Sequence, residues 1–528
     1  MSFLGLDIGT SGCKAVAFDE SGRPLATAYR AYALSHPAPG WSELDADVVC
    51  GHACDVMREV AAATSDDPVA AMCVSSQGEA FVPVDAQGRA LGNAMVSSDA
   101  RADALIAPFA DSFGADRLYR ITGHTGHPMF TIYKLLWLRD ERQDVWRDAA
   151  SFHCFEDLLH LRLGLRPAMG WPLAGRTMLF DVAKHEWSAP ILEAVGLDAS
   201  RLARPLRSGS VVGTVPAEVA RDLGLGDDVV VAAGGHDQTV AATGVGITAP
   251  RTAMYATGTV ECICALLESP RLIDELRDSN LCTYDSTLPD TYATVAFSLT
   301  GGNALSWFRD EFGGGPDAHC NGFAALLEGM PDEPTSLLSL PYLTPSGTPH
   351  FDTRTPGALI GLRLTTTRHE VLKGLMEGVA LEMKLNLAIL ERSGIPVDRF
   401  VASGGGARSP VLNQLKADVT GRPVTVCEAD EAGCLGAAIL ARAARSGTPA
   451  SEFATEMVTL GRTFEPDAAK TDVYRERLGR YERMYEALAQ LWQLSEEIVF
   501  VDEIPKTSVG KFDKKTLRSQ YESFYGEE

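Results

Sequence analysis

Residues 3–19 read FLGLDIGTSGCKAVAFD, and this stretch decides the fold. Residues 3–8 form an apolar run typical of a buried strand, residues 9–12 form a glycine-rich turn, and residues 13–19 form the returning strand of a hairpin. A second stretch, RTAMYATGTVECICALL at residues 251–267, repeats the plan of a buried strand followed by a Gly-Thr turn. The repeat predicts an internal duplication with one such hairpin in each domain.

Outside the hairpins, strands alternate with helices in both halves of the chain. In the N-terminal half we predict strands over 25–32, 70–75, 80–84 and 228–233 and a helix over 45–63. In the C-terminal half we predict helices over 368–393, 407–418 and 432–444 and strands over 399–403 and 424–426. This alternation indicates the α/β class, and a length of 528 residues implies two large domains.

Composition excludes several functional classes. A formal net charge of −23 argues against a nucleic-acid surface, which needs a basic stripe. No apolar run approaches the roughly 20 residues needed to span a bilayer, and the chain opens directly into a strand without a leader, so we expect a cytoplasmic protein. The eleven cysteines lack metal-ligand spacing, which predicts buried free thiols.

The first hairpin turn carries groups suited to binding phosphate. Glycines let the backbone approach a phosphate, Thr10 and Ser11 add hydroxyl donors, and Lys14 adds a positive charge. Asp7, at the end of the first strand, is suited to holding Mg²⁺ through water. An ordinary hairpin turn is the alternative. The second turn, residues 257–259, favours the functional interpretation because two facing hairpins would clamp a polyphosphate.

A carboxylate follows another buried strand at a place where α/β folds bind ligands. Asp237 comes directly after the predicted strand 228–233 and a Gly234-Gly235 turn. Such a carboxylate can accept a hydroxyl proton during phosphoryl transfer. Alternatively, Asp237 caps the helix predicted over 238–243. We expect the adjacent His236 to pack or to orient the turn rather than to act as a base.

A glycine run in the C-terminal half precedes a helix. Residues 404–407 read GGGA after a predicted strand and before SPVLNQ at residues 409–414. A helix N-terminus in this position can receive an adenosine or a phosphate.

Four ordered motifs resemble those of the FGGY carbohydrate kinases, relatives of xylulokinase and glycerol kinase, over roughly residues 3–490. These motifs are LGLDIGTSGCKAVAFDESGRPL at 4–25, MFTIYKLLWLRDE at 129–141, the spacing of Gly374, Gly378 and Glu382, and SGGGARSPVLNQLKADVTGRPV at 403–424. The resemblance implies two actin-like, ribonuclease-H-like domains with the active site in the cleft between them. The domains would span residues 1–246, with the sugar site and the first phosphate hairpin, and residues 247–492, with the nucleotide site.

The resemblance also implies roles for individual residues. Asp237 would be the general base, and Asp7 and Asp237 would face the metal. Thr10, Ser11 and Lys14 would contact one side of the triphosphate, and Gly258 and Thr259 the other. The nucleotide cleft would be lined by Gly302, Ser306, Gly405, Gly406 and Ser409. The substrate hydroxyls would be bound by Gln77, Glu79 and Gln238 together with Asp237.

Two departures from the family pattern concern the sugar pocket. Ser97 stands where the family usually has the Trp of a Trp-x-Asp-x-Arg segment, which implies a wider or more polar pocket. Residues 76–79 read SQGE, whereas xylulokinases usually carry a Met-His pair after the Gln. A carboxylate at Glu79 is nearer to the glycerol-kinase pattern, so the expectation is a xylulokinase-like sugar kinase whose substrate is not fixed as D-xylulose.

The end of the chain resembles a different family. Residues 497–515, EIVFVDEIPKTSVGKFDKK, resemble the C-terminal catalytic-lysine segment of acyl-CoA synthetases, with Lys511 at the lysine position. The large adenylating domain of that family is absent, and no Ser/Thr/Gly-rich adenylate loop occurs elsewhere. We therefore expect residues 493–528 to be a tail without catalysis.

The function expected from these motifs is transfer of the γ-phosphoryl group of Mg·ATP to a hydroxyl of a ketose or polyol. The alternative is a non-catalytic sugar or nucleotide sensor on a kinase scaffold, which loss of the base would favour, yet Asp237 is present. The partners expected are ATP and the small sugar or polyol, without nucleic acid or membrane. A homodimer is left open.

Overall fold

The computed structural model describes residues 1–312, 322–352 and 354–493. In the N-terminal half the strands are β1 Ser2–Ile8, β2 Gly12–Phe18, β3 Pro24–Ala31, β4 Glu43–Leu44, β5 Val69–Ser76, β6 Val82–Val84, β7 Ala94–Met95, β8 Ser151–His153, β9 Ala168–Gly170, β10 Phe180–Asp181, β11 Glu186–Trp187, β12 Arg204–Leu206, β13 Val211–Thr214 and β14 Val230–His236. The helices of this half are α1 Ala46–Ala63, α2 Ile106–Phe113, α3 Ala115–Thr122, α4 Thr131–Glu141, α5 Gln143–Asp148, α6 Phe155–Arg162, α7 Trp171–Gly175, α8 Ala189–Val195, α9 Ala217–Leu223 and α10 Asp237–Gly244.

The C-terminal half continues the same alternation. Its strands are β15 Thr252–Thr257, β16 Glu261–Leu267, β17 Tyr284–Asp285, β18 Tyr292–Ser298, β19 Leu338–Leu340, β20 Ala358–Ile360, β21 Arg399–Ser403, β22 Val424–Cys427 and β23 Leu460–Phe464. Its helices are α11 Asp274–Asp278, α12 Gly302–Phe312, α13 Gly322–Glu328, α14 Arg368–Arg392, α15 Pro410–Thr420, α16 Ala432–Ser446, α17 Ala450–Met457 and α18 Ala468–Gln493. The α/β class and both hairpins are confirmed.

Two mixed sheets share one topology. The N-terminal sheet has the order β13-β14-β5-β1-β2-β3, and the C-terminal sheet has the order β17-β18-β16-β15-β21-β22-β23. In each sheet the first hairpin strand pairs antiparallel with its hairpin partner and parallel with a strand that arrives later in the chain. In each sheet an antiparallel strand also lies at the edge beyond the parallel strands, β13 beside β14 and β23 beside β22. The matching orders support the predicted duplication.

The prediction for the segment before Asp237 was wrong in one respect. Gly234 and Gly235 do not form a turn, because β14 continues through both of them to His236. A Cβ atom on Gly234 would overlap the carbonyl oxygen of Val74 in β5, so the strand needs glycine for close approach to its neighbour. Helix α10 begins at Asp237 itself, directly after the strand.

The glycine run before α15 also differs from the prediction of one continuous helix. Residues 405–408 form a short 3₁₀ helix, and α15 begins only at Pro410, where proline is favoured at the first helical position. Ser409 caps α15 by accepting a hydrogen bond from the backbone N–H of Leu412 at 3.3 Å.

The two halves are joined by crossing helices. Helix α16, although late in the chain, packs against β1, β5 and β14 of the N-terminal sheet and against α10. Cβ atoms on Gly244 and Gly436 would overlap the carbonyl oxygens of Ala432 and Val240, so glycines let the two helices approach closely. The predicted C-terminal domain 247–492 therefore contributes one helix to the core of the N-terminal half. The predicted tail 493–528 lies outside the described residues apart from the end of α18.

Candidate active site

Asp237 stands where the N-terminal sheet ends. It follows β14, opens α10, and keeps about a third of its side chain exposed (33%). Burial among protein atoms is the main cause that raises its pKa to about 7, and the nearby carboxylates of Asp7 and Glu79 add to this effect. The Oδ1 atom has no hydrogen-bond partner. That oxygen is itself buried, so the exposed third of the side chain comes from its other atoms.

His236 is buried beside Asp237 and packs against Tyr284. Its Nδ1 lies 2.8 Å from the Tyr284 hydroxyl, and its Nε2 lies 3.1 Å from Asp237 Oδ1 without hydrogen-bond geometry. Burial lowers the pKa of His236 well below its usual value, so the imidazole is neutral. The imidazole thus lies between the Tyr284 hydroxyl and the Asp237 carboxylate.

Side chains from other elements hold the first hairpin turn in shape. The Gln77 amide donates to the Gly9 carbonyl at 2.9 Å and accepts from the Thr10 hydroxyl at 3.3 Å. The Tyr32 hydroxyl also donates to the Gly9 carbonyl, at 2.6 Å. Gln77 was predicted to bind substrate, and in the structure its amide group positions the turn. Ser11 is exposed on it.

Asp7 lies under this hairpin turn among polar neighbours. It accepts a 2.7 Å hydrogen bond from Ser75 Oγ, and burial raises its pKa. Lys14, opposite Asp7 in the hairpin register, forms a 2.5 Å ion pair with Glu431 at the start of α16. Lys14, the cation predicted to contact the triphosphate, is therefore paired with a carboxylate from the C-terminal half.

Glu79 lies at the other side of Asp237, in the left-handed region with φ 62°. Its carboxylate forms an ion pair with Arg176 and accepts a 2.7 Å hydrogen bond from Ser97 Oγ. Gln238 lies next to Asp237, and its Oε1 is buried without a hydrogen-bond partner. Sequence reasoning missed Arg176, because no local pattern marks an arginine located 97 positions from its partner.

The C-terminal half contains a cavity of about 400 Å³. Every residue predicted from the sequence to bind nucleotide in this half lines it: Gly258, Thr259, Gly302, Ser306, Gly405, Gly406 and Ser409. A second set of lining side chains is apolar, consisting of Leu305, Phe323, Leu327, Met376, Val379, Leu412 and Leu415. A cavity with an apolar wall and a glycine-rich polar edge suits a planar base joined to a phosphate chain.

Backbone contacts join the second hairpin turn to two helix starts. The Gly302 N–H donates to the Gly258 carbonyl at 3.0 Å, which brings the start of α12 to the turn. A Cβ atom on Gly302 would overlap that carbonyl. On the other side, a Cβ atom on Gly404, where φ is +79°, would lie 2.6 Å from the carbonyl oxygen of Thr257. These glycines allow three backbone segments to meet at one edge of the cavity.

A buried ion pair that the sequence did not predict lies at the floor of the cavity. Lys416 Nζ is 3.0 Å from Glu261 Oε1 and also contacts the Thr257 hydroxyl. Glu261 accepts a 2.6 Å hydrogen bond from the Tyr255 hydroxyl, and Lys416 Nζ lies 4.3 Å from the centre of that ring. The one feature of the sequence that could have pointed to Lys416 is its position inside the motif at residues 403–424.

Some other predictions concern what the protein lacks. None of the helices formed by the described residues is long and apolar enough to cross a bilayer. In the same part of the chain, the ten cysteines are free and nine of them are buried, as predicted. The described residues contain no cluster of three or more His, Cys, Asp or Glu side chains placed to hold a metal ion.

Comparison with protein families matches both halves of the chain. Residues 2–244 match the N-terminal domain of the FGGY family of carbohydrate kinases, and residues 253–445 match the C-terminal domain of that family. The two matches together include every residue assigned above to the site.

Individual relatives extend over nearly the whole length. The chain is 28% identical over 495 residues to a xylulose kinase of Staphylococcus epidermidis, covering 92% of this chain and 97% of that protein. It is 30% identical over 463 residues to a glycerol kinase of Methylibium petroleiphilum, covering 83% and 89%. The crystal structure of a xyloylose kinase from Brucella ovis, 27% identical, superposes with a TM-score of 0.85 and covers 93% of this chain and 100% of that one. A Plasmodium falciparum glycerol kinase with ADP, 19% identical, has the same fold, with a TM-score of 0.82 over 92% of this chain and 98% of that one.

Proposed function

The chain belongs to the FGGY family of carbohydrate kinases, and we propose that it transfers the γ-phosphoryl group of ATP to a hydroxyl of a ketose or polyol with Asp237 as the general base. The observation that carries this proposal is the Asp237 carboxylate at the end of β14. It is partly open to the cleft, and one of its oxygens lacks a hydrogen bond. Its pKa of about 7 lies near the operating range of a general base.

The phosphoryl donor binds in the cavity of the C-terminal half. The apolar wall takes the adenine ring, and the turn at Gly258 and Thr259 meets the phosphates, because backbone N–H groups and a hydroxyl gather there. The γ-phosphate then extends toward Thr10 and Ser11 on the first hairpin turn. Support for a nucleotide in this fold comes from the Plasmodium glycerol kinase, which was solved with ADP.

The residues present fit a magnesium ion that arrives with ATP. Kinase sites commonly hold Mg²⁺ through one or two carboxylates plus phosphate oxygens and water, so two carboxylates are enough. Asp7 and Asp237 would supply them; burial raises the pKa of both carboxyls, and the Asp7 carboxylate raises the pKa of Asp237 further. When bound, the ion would neutralise charge on the transferring phosphoryl group.

The sugar hydroxyls bind on the N-terminal side of Asp237. Glu79 and Gln238 offer oxygen atoms next to the base, and Gln77 connects this region to the phosphate turn. The acceptor hydroxyl lies near the Asp237 carboxylate, which takes its proton as the oxygen attacks phosphorus. Catalysis then rests on positioning and on charge neutralisation. The xylulose and glycerol kinase relatives both favour an uncharged acceptor of three to five carbons.

A coupled ADP-release assay over pentuloses, hexuloses, tetritols and pentitols tests the proposal. We expect at least one compound to raise ADP release well above the rate with ATP alone, with a phosphorylated product detected by mass spectrometry. A protein that binds a sugar in the presence of ATP but forms no phosphorylated product from any of them would instead be a non-catalytic sensor.

A further inference from the structure

Arg176 and Glu79 form a buried ion pair beside the proposed base. Their side chains are 8% and 2% exposed, and Arg176 donates to Glu79 Oε1 through both Nε and Nη2. Ser97 Oγ donates to the other carboxylate oxygen, Oε2, at 2.7 Å. The guanidinium carbon also lies 4.9 Å from the centre of the Phe130 ring, which holds its plane. The geometry of this pair is fixed from three directions.

The side chain of His236 lies between this pair and Asp237. A Cβ atom on Gly78 would lie 2.9 Å from His236 Cδ2 and 3.6 Å from Arg176 Cγ, so only a glycine separates the arginine stem from the imidazole. That imidazole in turn faces Asp237 Oδ1 at 3.1 Å. The guanidinium carbon also lies 5.7 Å from the ring centre of Tyr284, which contacts His236. The Glu79 carboxylate is also close enough to raise the pKa of Asp237, so a substrate held at Asp237 lies within reach of the charges of this pair.

The charges around Asp237 are compensated or negative. Among the described residues of this region, Arg176 is paired with Glu79 and Lys14 with Glu431. A third cation, Lys134, is fully buried and donates to the backbone carbonyls of Glu79, Met95 and Val96. A substrate carboxylate would therefore meet Asp7, Asp237 and Glu79 without an uncompensated cation, and such like-charge contacts are unfavourable. A neutral hydroxyl can donate to Glu79 and accept from Arg176 at the same time.

We propose that the Arg176–Glu79 pair makes the sugar site selective for uncharged polyhydroxy substrates over sugar acids. In this arrangement Glu79 is the specificity-determining residue, because its carboxylate neutralises an arginine that would otherwise bind an anion. The inference rests on the proposed function only in placing the substrate beside Asp237.

Binding of matched five-carbon ligands tests the proposal. Titration calorimetry with a non-hydrolysable ATP analogue present would compare xylitol and D-xylulose with D-xylonate. We expect the wild-type protein to bind a neutral ligand at least about tenfold more tightly than D-xylonate. Glu79→Gln keeps the size of the side chain and frees the arginine charge, so the ratio should move toward D-xylonate by about tenfold or more. Adding Arg176→Gln should reverse that movement.

Two further variants make the result decisive. Asp398→Asn removes the carboxylate from an exposed arginine pair with Arg251 far from the site and should leave the ratio unchanged. If Glu79→Gln does not fold, Ser97→Lys adds an uncompensated cation at the same place and should move the ratio in the same direction.

Tighter binding of D-xylonate than of the neutral ligands by the wild-type protein would overturn the inference. A ratio unchanged within about twofold in both Glu79→Gln and Ser97→Lys would also overturn it. Because binding is measured, the expected ratios without any phosphoryl transfer would support the inference while refuting the proposed reaction, and transfer with a preference for the acid would do the opposite.

Discussion

Lys416 and Glu261 form an ion pair of 3.0 Å at the floor of the C-terminal cavity, with only 4% and 6% of their side chains exposed. The pair joins α15 to β16, and through Thr257 it contacts the strand that leads into the second hairpin turn. The position of that turn therefore depends on a contact between two elements far apart in the chain.

Removing one member of this pair should weaken both the fold and nucleotide binding. We expect Lys416→Met to lower the free energy of unfolding by roughly 3 kcal/mol, because the Glu261 charge remains buried without its cation. The ATP KM should rise by about tenfold while the sugar KM changes little. Denaturant unfolding and steady-state kinetics measure these effects. The double variant Lys416→Met/Glu261→Gln should recover most of the stability. A single variant as stable as the wild type would contradict this account.

Asp237→Asn should separate chemistry from binding. The amide keeps the shape of the side chain but cannot accept the hydroxyl proton, so kcat should fall by about 10²–10⁴-fold. Calorimetry should show ATP and sugar affinities near those of the wild type. The remote variant Asp398→Asn serves as the control and should keep full turnover. Retention of more than about a third of wild-type turnover would assign the base to another residue.

The close contact between α10 and α16 predicts that adding one methyl group at Gly436 is unfavourable. A Cβ atom on Gly436 in α16 would overlap the Val240 carbonyl in α10, the helix that begins at Asp237. We expect Gly436→Ala to destabilise the protein by about 1–3 kcal/mol and to lower kcat, because α10 must shift.

Gly51→Ala is the matched control for that variant. Gly51 lies on an exposed face inside α1, and a Cβ atom there meets no atom within 4 Å. Alanine should stabilise that helix by up to about 1 kcal/mol. Thermal unfolding of both variants checks the contrast. A shift of the two melting temperatures in the same direction would rule out close packing as the reason for glycine at 436.

Glu382 makes stability depend on pH. It is buried, accepts hydrogen bonds from the Tyr342 and Tyr481 hydroxyls, and burial raises its pKa to about 7. A raised carboxyl pKa means that the native state holds the proton more tightly than the unfolded state. The protonated Glu382 therefore stabilises the native state fully below about pH 4.5, and this contribution to the free energy of unfolding is lost as pH rises through about 7. Between pH 5 and pH 8 the loss should be about 2 kcal/mol.

The isosteric variant Glu382→Gln should lack that dependence. Both tyrosine hydroxyls can rotate to suit an amide, so the hydrogen bonds can be kept. Denaturant melts at several pH values should show the variant gaining on the wild type as pH increases. Parallel stability curves for the two proteins would mean that Glu382 does not titrate in this range.

Much of the site was readable from the sequence because its parts are local. A hairpin with a glycine-rich turn, a carboxylate directly after a buried strand, and a glycine run before a helix each occupy a few consecutive residues. Within such short segments, backbone geometry decides where the groups point. This is why all seven nucleotide residues predicted for the C-terminal half, from Gly258 to Ser409, line one cavity.

Tertiary structure decided what joins these segments. Arg176 reaches Glu79 across 97 positions, Lys416 reaches Thr257 across 159, and α16 leaves its own half to pack on β1. Gly234 and Gly235 resemble a turn in sequence, yet both extend β14, and at Gly234 the Val74 carbonyl of the neighbouring β5 leaves no room for a side chain. The sequence by itself determined the local shapes and the placement of Asp237, since these depend on neighbouring residues. The compensating charges around Asp237 and the contact between the halves depend on which distant segments the whole fold brings together, and no local pattern contains that information.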